Sequence, residues 1–271
     1  MTAIAIDAPR LPARAVRVSP LDGLRHTGTL AWRTLVQIRH NPMELMDYSV
    51  QPLMFVLLFT YVFGGALAGS TGAYLAFALP GIIVQNALFT TLNTGVGLNT
   101  DLTKGVFDRL RSLPIARSAP LAGRIVADMA KQVWSMALLL VAGAAIGFRV
   151  GTSPFGVLGA FVLLVLVALA VSWMSVLVGL LVSEPEKVMV FGFTVIFPLT
   201  FVSNAFVPAD SMPGWLQAWV KVNPVTSLAD AIRGLLVSGP VAGPVVKSLL
   251  WATAIAVVFA PLAVRAFRRR V

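Results

Sequence analysis

Few side chains in this 271-residue chain could make or break bonds, and their spacing argues against each in turn. Both histidines, His26 and His40, lie in the amino-terminal segment, and neither belongs to an HExxH pair that would offer two imidazoles to zinc from one helical face. The absence of cysteine removes thiolate ligands, disulfides and a thiol nucleophile, and leaves the compartment undecided. Glu184 and Glu186 suggest paired-carboxylate acid–base work, but they flank Pro185 in a short turn between apolar runs and read as a solvated connector. Asp128 and Lys131 stand three residues apart within an apolar segment, where charges raise a proton relay by default; their spacing and their place near the segment's end favour mutual neutralisation. Lys247-Ser248 follows Val246, where a phosphate-binding GxxxxGK[ST] loop needs glycine. Catalytic, cofactor-binding and metal-binding residues are therefore expected nowhere on the chain, and energy must come from outside it.

The segment 101–117, DLTKGVFDRLRSLPIAR, is the most distinctive remaining feature. It is a compact, basic, amphipathic insert between two long apolar runs, a form suited to passing force from a soluble partner into a membrane. The alternative is a positively charged loop that only sets topology.

The surrounding composition defines the solvent. Hydrophobic residues make up 58% of the chain and charged residues 12%, with a mean hydropathy of +0.86, so charge is too sparse to cover a soluble domain of this length. Apolar runs of the length a helix needs to cross hydrocarbon predict an all-α integral membrane protein with six spans, about 48–68, 74–98, 125–148, 155–182, 188–207 and 244–264. An even number places both termini on one side. Arg10, Arg14, Arg17, Arg25, Arg33 and Arg39 before the first span, Lys104, Arg109, Arg111, Arg117 and Arg124 after the second, Lys187 after the fourth and Arg265, Arg268, Arg269 and Arg270 in the tail make that side cytoplasmic. Arg149, Lys221, Arg233 and Lys247 fall on the other face. The net charge of +10 is mostly this asymmetry; without interleaved aromatics it does not describe a nucleic-acid platform.

Residues 1–23 read as a flexible basic cytoplasmic arm with no apolar core long enough for a signal peptide. Residues 24–41 read as an amphipathic helix in the membrane interface, or else as an ordinary basic flank, and 42–271 as the six-span domain. On the second span Asn86, Thr90, Asn93 and Gly97 share one helical face, which serves either helix packing or a substrate pathway. Pro80 and Pro198 are expected to kink their helices, as hinges or tolerated bends. Between the fifth and sixth spans, Trp215, Leu216 and Trp219 recur on one face before Asn223-Pro224, predicting two short helices at the outer surface that act as an exit gate or as a plain interfacial lid.

The six-span layout, the segment GVFDRLRSLPIARSAPLAGR (105–124) and the outer segment MPGWLQAWVKVNPVTSLADAIRGL (212–235) together resemble the ABC-2 type permeases, in particular the membrane subunits of bacterial daunorubicin-resistance-type exporters. The resemblance runs from about Leu24 to near the end. It implies a type V ABC exporter fold with an amino-terminal interfacial helix, a cytoplasmic coupling helix and outer re-entrant or interfacial helices before the last span. It also implies a half-translocator of a bacterial cell membrane that pairs with a second permease chain, the same or related. Two separate ATP-binding subunits would carry the ATP and Mg, and the complex would export a drug, antibiotic or lipid by alternating access.

On that analogy Asp101 and Gly105 belong to the coupling helix, Leu102, Val106, Phe107, Leu110 and Leu113 seat an apolar stripe in an ATPase groove, Asp108, Arg109 and Arg111 orient it, and Pro114 ends it. Phe55, Phe59, Asn86, Thr90, Asn93, Gly97, Phe197 and Asn204 become candidates for a substrate path or subunit interface, and Trp215, Leu216, Trp219, Asn223 and Pro224 for an outer gate. The competing function is a secondary transporter or channel-like protein with no ATPase partner, although ion-coupled transport usually needs the deep intramembrane charges this chain lacks.

Overall fold

The computed structural model describes residues 42–106 and 119–270, together with the helical positions Arg25, Gly28, Thr29, Trp32 and Val36. The expected arm and most of the expected interfacial helix lie outside the described residues. Among those described, all regular structure is helical.

The first apolar run forms α1 (Pro42–Leu58), a π-helical turn (Phe59–Phe63) and α2 (Gly64–Ala68). Gly69, at φ 68°, reverses the chain, and the Ser70 hydroxyl accepts a hydrogen bond from the Ala73 amide to start α3 (Thr71–Thr103). At 1.5 Å per residue these 33 residues extend for about 50 Å, well beyond hydrocarbon about 30 Å thick. The helix is therefore longer than the apolar layer is thick. Gly105, at φ 65°, ends it, its amide donating to the Leu102 carbonyl at 3.1 Å. Asp101 and Leu102 thus form the final turn of α3 and lie before a break in the expected continuous coupling helix.

The chain resumes as α4 (Ala119–Ala145), α5 (Pro154–Leu181), α6 (Pro185–Phe201), a 3-10 turn (Ala209–Ser211), α7 (Gly214–Val222), α8 (Pro224–Leu236) and α9 (Ala242–Arg270). Among the described residues, five stretches are long and apolar enough to cross a membrane: Ser49–Ala66, Thr71–Thr103, Leu121–Ala145, Pro154–Leu181 and Ala242–Arg270. The helix of the expected fifth span, α6, has 17 residues and stops at Phe201, so 202–207 are not part of it. Pro198 falls in its last turn, and the Asn223 side chain donates to the carbonyls of Leu199 and Val202 at 2.8 and 2.7 Å, satisfying groups a longer helix would have paired internally.

The centre of the bundle is α3, which packs on α4, α5, α6 and α8, while α5 packs on α9. The crossing of α3 and α5 depends on glycine. A Cβ at Gly95 would overlap the Ser175 carbonyl, and one at Gly179 would meet the Gly95 carbonyl, so the two backbones touch directly. Asn99 reinforces the crossing by donating to the Gly179 and Val182 carbonyls, both at 2.9 Å, at the end of α5. The two outer helices differ. Trp215 and Trp219 on α7 are exposed, whereas α8 inserts between α3, α5 and α9 and buries Val225, Leu228, Ala229, Ile232 and Leu236.

Candidate translocation cavity

A cavity of about 320 Å³ opens between α1, α3 and α6. Gln51, Pro52 and Phe55 come from α1; Ile82, Gln85, Asn86, Phe89, Thr90, Leu92 and Asn93 from α3; Met189, Phe193, Phe197 and Phe201 from α6. The helical repeat explains the set: positions 82, 85, 86, 89, 90 and 93 recur at three and four residues on α3, as do 189, 193, 197 and 201 on α6. Among the described residues, no acidic or basic side chain lines it. Its polar groups are amides and a hydroxyl, all on α1 and α3.

The apolar side is an arc of phenyl rings. Phe89 meets Phe193 edge-on at 5.4 Å, and stacked pairs then run Phe193–Phe197 at 5.0 Å, Phe197–Phe201 at 4.2 Å and Phe201–Phe206 at 5.1 Å. Phe206 stacks on Phe59 at 4.7 Å and Phe59 on Phe55 at 5.9 Å, which carries the arc from α6 to α1. Such pairs add about 0.5–1.5 kcal/mol beyond their buried area and hold flat apolar faces in place.

The polar side is held from behind by α4. Asn86 Nδ2 donates to Ser135 Oγ at 2.8 Å, and the Thr90 hydroxyl lies against the Gln132 side-chain carbonyl. Below them Arg124 Nη1 donates to Asp101 Oδ2 at 2.8 Å, and Asp128 stands 3.8 Å from Arg124 and 3.2 Å from Lys131. Asp128 and Lys131 are buried and paired, as their spacing predicts.

The expected path residues therefore separate. Phe55, Asn86, Thr90, Asn93 and Phe197 line the cavity, and Phe59 backs it through the ring arc. Gly97 does not reach it: a Cβ there would overlap the Arg124 guanidinium, so its smallness makes room for that side chain. Asn204 is also elsewhere, donating to Asp230 Oδ1 at 2.7 Å in a cluster where Arg233 pairs with Asp230 at 2.7 Å, bonds the carbonyls of Phe77 and Asn204, and lies 4.1 Å over the Phe77 ring.

Of the expected outer residues, Trp215 and Trp219 face outward, Leu216 is half-buried, and none of the three lines this cavity. Asn223 is fully buried and caps α8 by accepting from the Val225 amide at 2.8 Å, with Pro224 at the first helical position. Of the expected coupling residues, Leu102 packs into a second apolar cluster with Leu98, Leu121 and Phe267. Phe107, Asp108, Arg109, Leu110, Arg111, Leu113 and Pro114 lie outside the described residues.

Gln51, Gln85, Phe89, Met189, Phe193 and Phe201 were not among the sequence candidates. The phenylalanines at 193, 197 and 201 carried a readable signal, a strict four-residue repeat; Gln51 and Gln85 carried none, since an isolated amide does not show which neighbour it faces.

The family model of the ABC-2 type transporter matches residues 25–237. The chain is 41% identical over 265 residues to a daunorubicin resistance ABC transporter permease protein of Streptomyces coeruleorubidus, covering 98% of this chain and 92% of that one. It is 29% identical over 235 residues to a probable doxorubicin resistance ABC transporter permease protein of Mycobacterium tuberculosis, covering 86% and 84%. A putative transport permease of Cyanophora paradoxa is 28% identical over 211 residues, covering 76% and 72%. A bundle with several helices of membrane-spanning length, and this likeness along nearly its whole length, lead to one assignment: the chain belongs to the ABC-2 type transporter family.

Proposed function

We propose that the chain is the transmembrane subunit of an ATP-driven drug exporter of a bacterial cell membrane, and that the cavity between α1, α3 and α6 receives the substrate. The observation that carries this reading is the cavity's chemistry: phenyl faces on one side, amides on the other and no ionised group among the described lining residues. Such a site takes an amphipathic molecule with a flat apolar portion and hydroxyl or carbonyl groups, and it disfavours anions, whose desolvation nothing there would repay. The named drug-resistance relatives support the same class.

Six crossings follow if α6, whose 17 residues rise about 26 Å, spans the layer with help from the following turn. Both termini and the segment from Gly105 to 118 are then cytoplasmic. Two ATP-binding subunits, carrying ATP and Mg, dock on that segment and on its counterpart in a second permease chain. Their closure moves the segment, and the cavity alternates between inward and outward exposure. The secondary-transport alternative is weakened because none of the cavity's described lining residues is titratable.

The test is transport in vesicles containing the chain with and without its ATP-binding partner. ATP-dependent accumulation of a fluorescent amphipathic aromatic compound is expected only with the partner. Equal accumulation from the chain alone, without ATP, would reject the reading.

A further inference from the structure

Asp101 and Arg124 stand at the two ends of the segment that joins α3 to α4, one on the last turn of α3 and the other on the second turn of α4. Their 2.8 Å bond is a clasp at the base of that segment. One turn further along α4 lies a second carboxylate, with Asp128 Oδ2 3.8 Å from Arg124 Nε, outside hydrogen-bond reach. Arg124 Nε and both Asp128 oxygens are buried and hydrogen-bonded to no protein group. Lys131 Nζ, 3.2 Å from Asp128 Oδ1, neutralises charge there without hydrogen-bond geometry.

Leaving buried charged groups unbonded is costly, and a buried ionic cluster is weak evidence for stability alone. Here the unbonded donor and acceptors adjoin, so a second arrangement, Arg124 on Asp128, needs only a side-chain rotation of the arginine. Gly97 keeps the space beside the guanidinium free of a Cβ. Arg124, Asp128, Gln132 and Ser135 follow one another at four, four and three residues and share one face of α4. On the same face Gln132 meets Thr90, and Ser135 accepts from Asn86 at 2.8 Å, so displacement of this face reaches the polar wall of the cavity.

We propose that Arg124 is a two-position positioning residue: it holds Asp101 in the arrangement described and exchanges it for Asp128 when the 107–118 segment is displaced, shifting α4 and with it Asn86 and Thr90. The inference rests on the ATP-driven function proposed above. It adds to that function the route by which movement at the docking segment reaches the substrate wall.

The cysteine-free chain permits a single reporter, Met189→Cys at the cavity, in the reconstituted complex with its ATP-binding partner. Its maleimide reactivity is read with and without a non-hydrolysable ATP analogue. In the parent the nucleotide is expected to change reactivity about tenfold, within the range of coupling between separate sites. Asp101→Asn opens the clasp and should show the nucleotide-bound level without nucleotide. Asp128→Asn, combined with Lys131→Gln to keep the local charge even, removes the second seat and should hold the nucleotide-free level with nucleotide present. Opposite displacements from the two variants distinguish an exchange from a static brace. If both variants follow the parent, or both move in the same direction with only a lower Tm, the exchange is overturned. A parent reporter that ignores nucleotide would instead overturn the ATP-driven function, and this inference with it.

Discussion

Asn223 shows how one side chain can decide a local fold. It accepts from the Val225 amide to start α8 and donates to the carbonyls of Leu199 and Val202 to end α6, all while fully buried. Asn223→Ala leaves a helix start uncapped and two carbonyls unpaired, a loss of about 3 kcal/mol. Asn223→Asp keeps the cap and loses the donors, so thermal unfolding of the purified protein should rank wild type above Asp and Asp above Ala. At Asn223 the sequence identified a break between two short helices, and Pro224 made the break readable. That the amide also closes a helix 21 residues earlier was not, because a hydrogen bond across the fold leaves no trace in local spacing. Gly97 teaches the same lesson: its place on a polar face was legible, but the occupant of the space it leaves, Arg124, was not.

At the scale of elements, periodicity served well where helices are long. The second, third, fourth and last spans were expected with ends no more than six residues from those of α3, α4, α5 and α9, since unbroken apolar runs admit no other structure in lipid. The fifth was drawn too long, because the apolar residues of 202–207 satisfy a hydropathy window while turning back into the bundle, where Ala205 and Phe206 are buried. The coupling segment was read as one helix from Asp101, and Gly105 divides it. This assigns Asp101 and Leu102 to the bundle, so the docking proposed for the segment is tested on the residues beyond Gly105. Accordingly, Phe107→Ala with Arg109→Glu should leave the protein inserted and lower co-purification of the ATP-binding partner at least tenfold, a loss of about 1.4 kcal/mol or more. Undiminished partner recovery with intact transport would remove the segment from the docking role.

For the molecule as a whole, basic residues gather before the first span, after the second and fourth, and in the tail. Orientation is an electrostatic decision made during insertion, so it should survive most core changes. In the cysteine-free chain, Thr103→Cys, at the exposed end of α3, is expected to react with an impermeant maleimide only from the cytoplasmic side, and Gln217→Cys on α7 only from outside. Labelling in the reverse sense would invert the topology and move the docking segment away from ATP. By itself the sequence determined the solvent and the helical class. Both follow from composition and run length, which are properties of a chain irrespective of what its parts touch. Only the tertiary structure decided which amides and rings share a cavity, that α8 is buried while α7 is exposed, and that Asp101, Arg124 and Asp128 form one cluster. Those are matters of which helix faces which, and in a bundle whose spans are apolar on nearly every side, facing is set by close approach at Gly95 and Gly179 and by cross-helix hydrogen bonds.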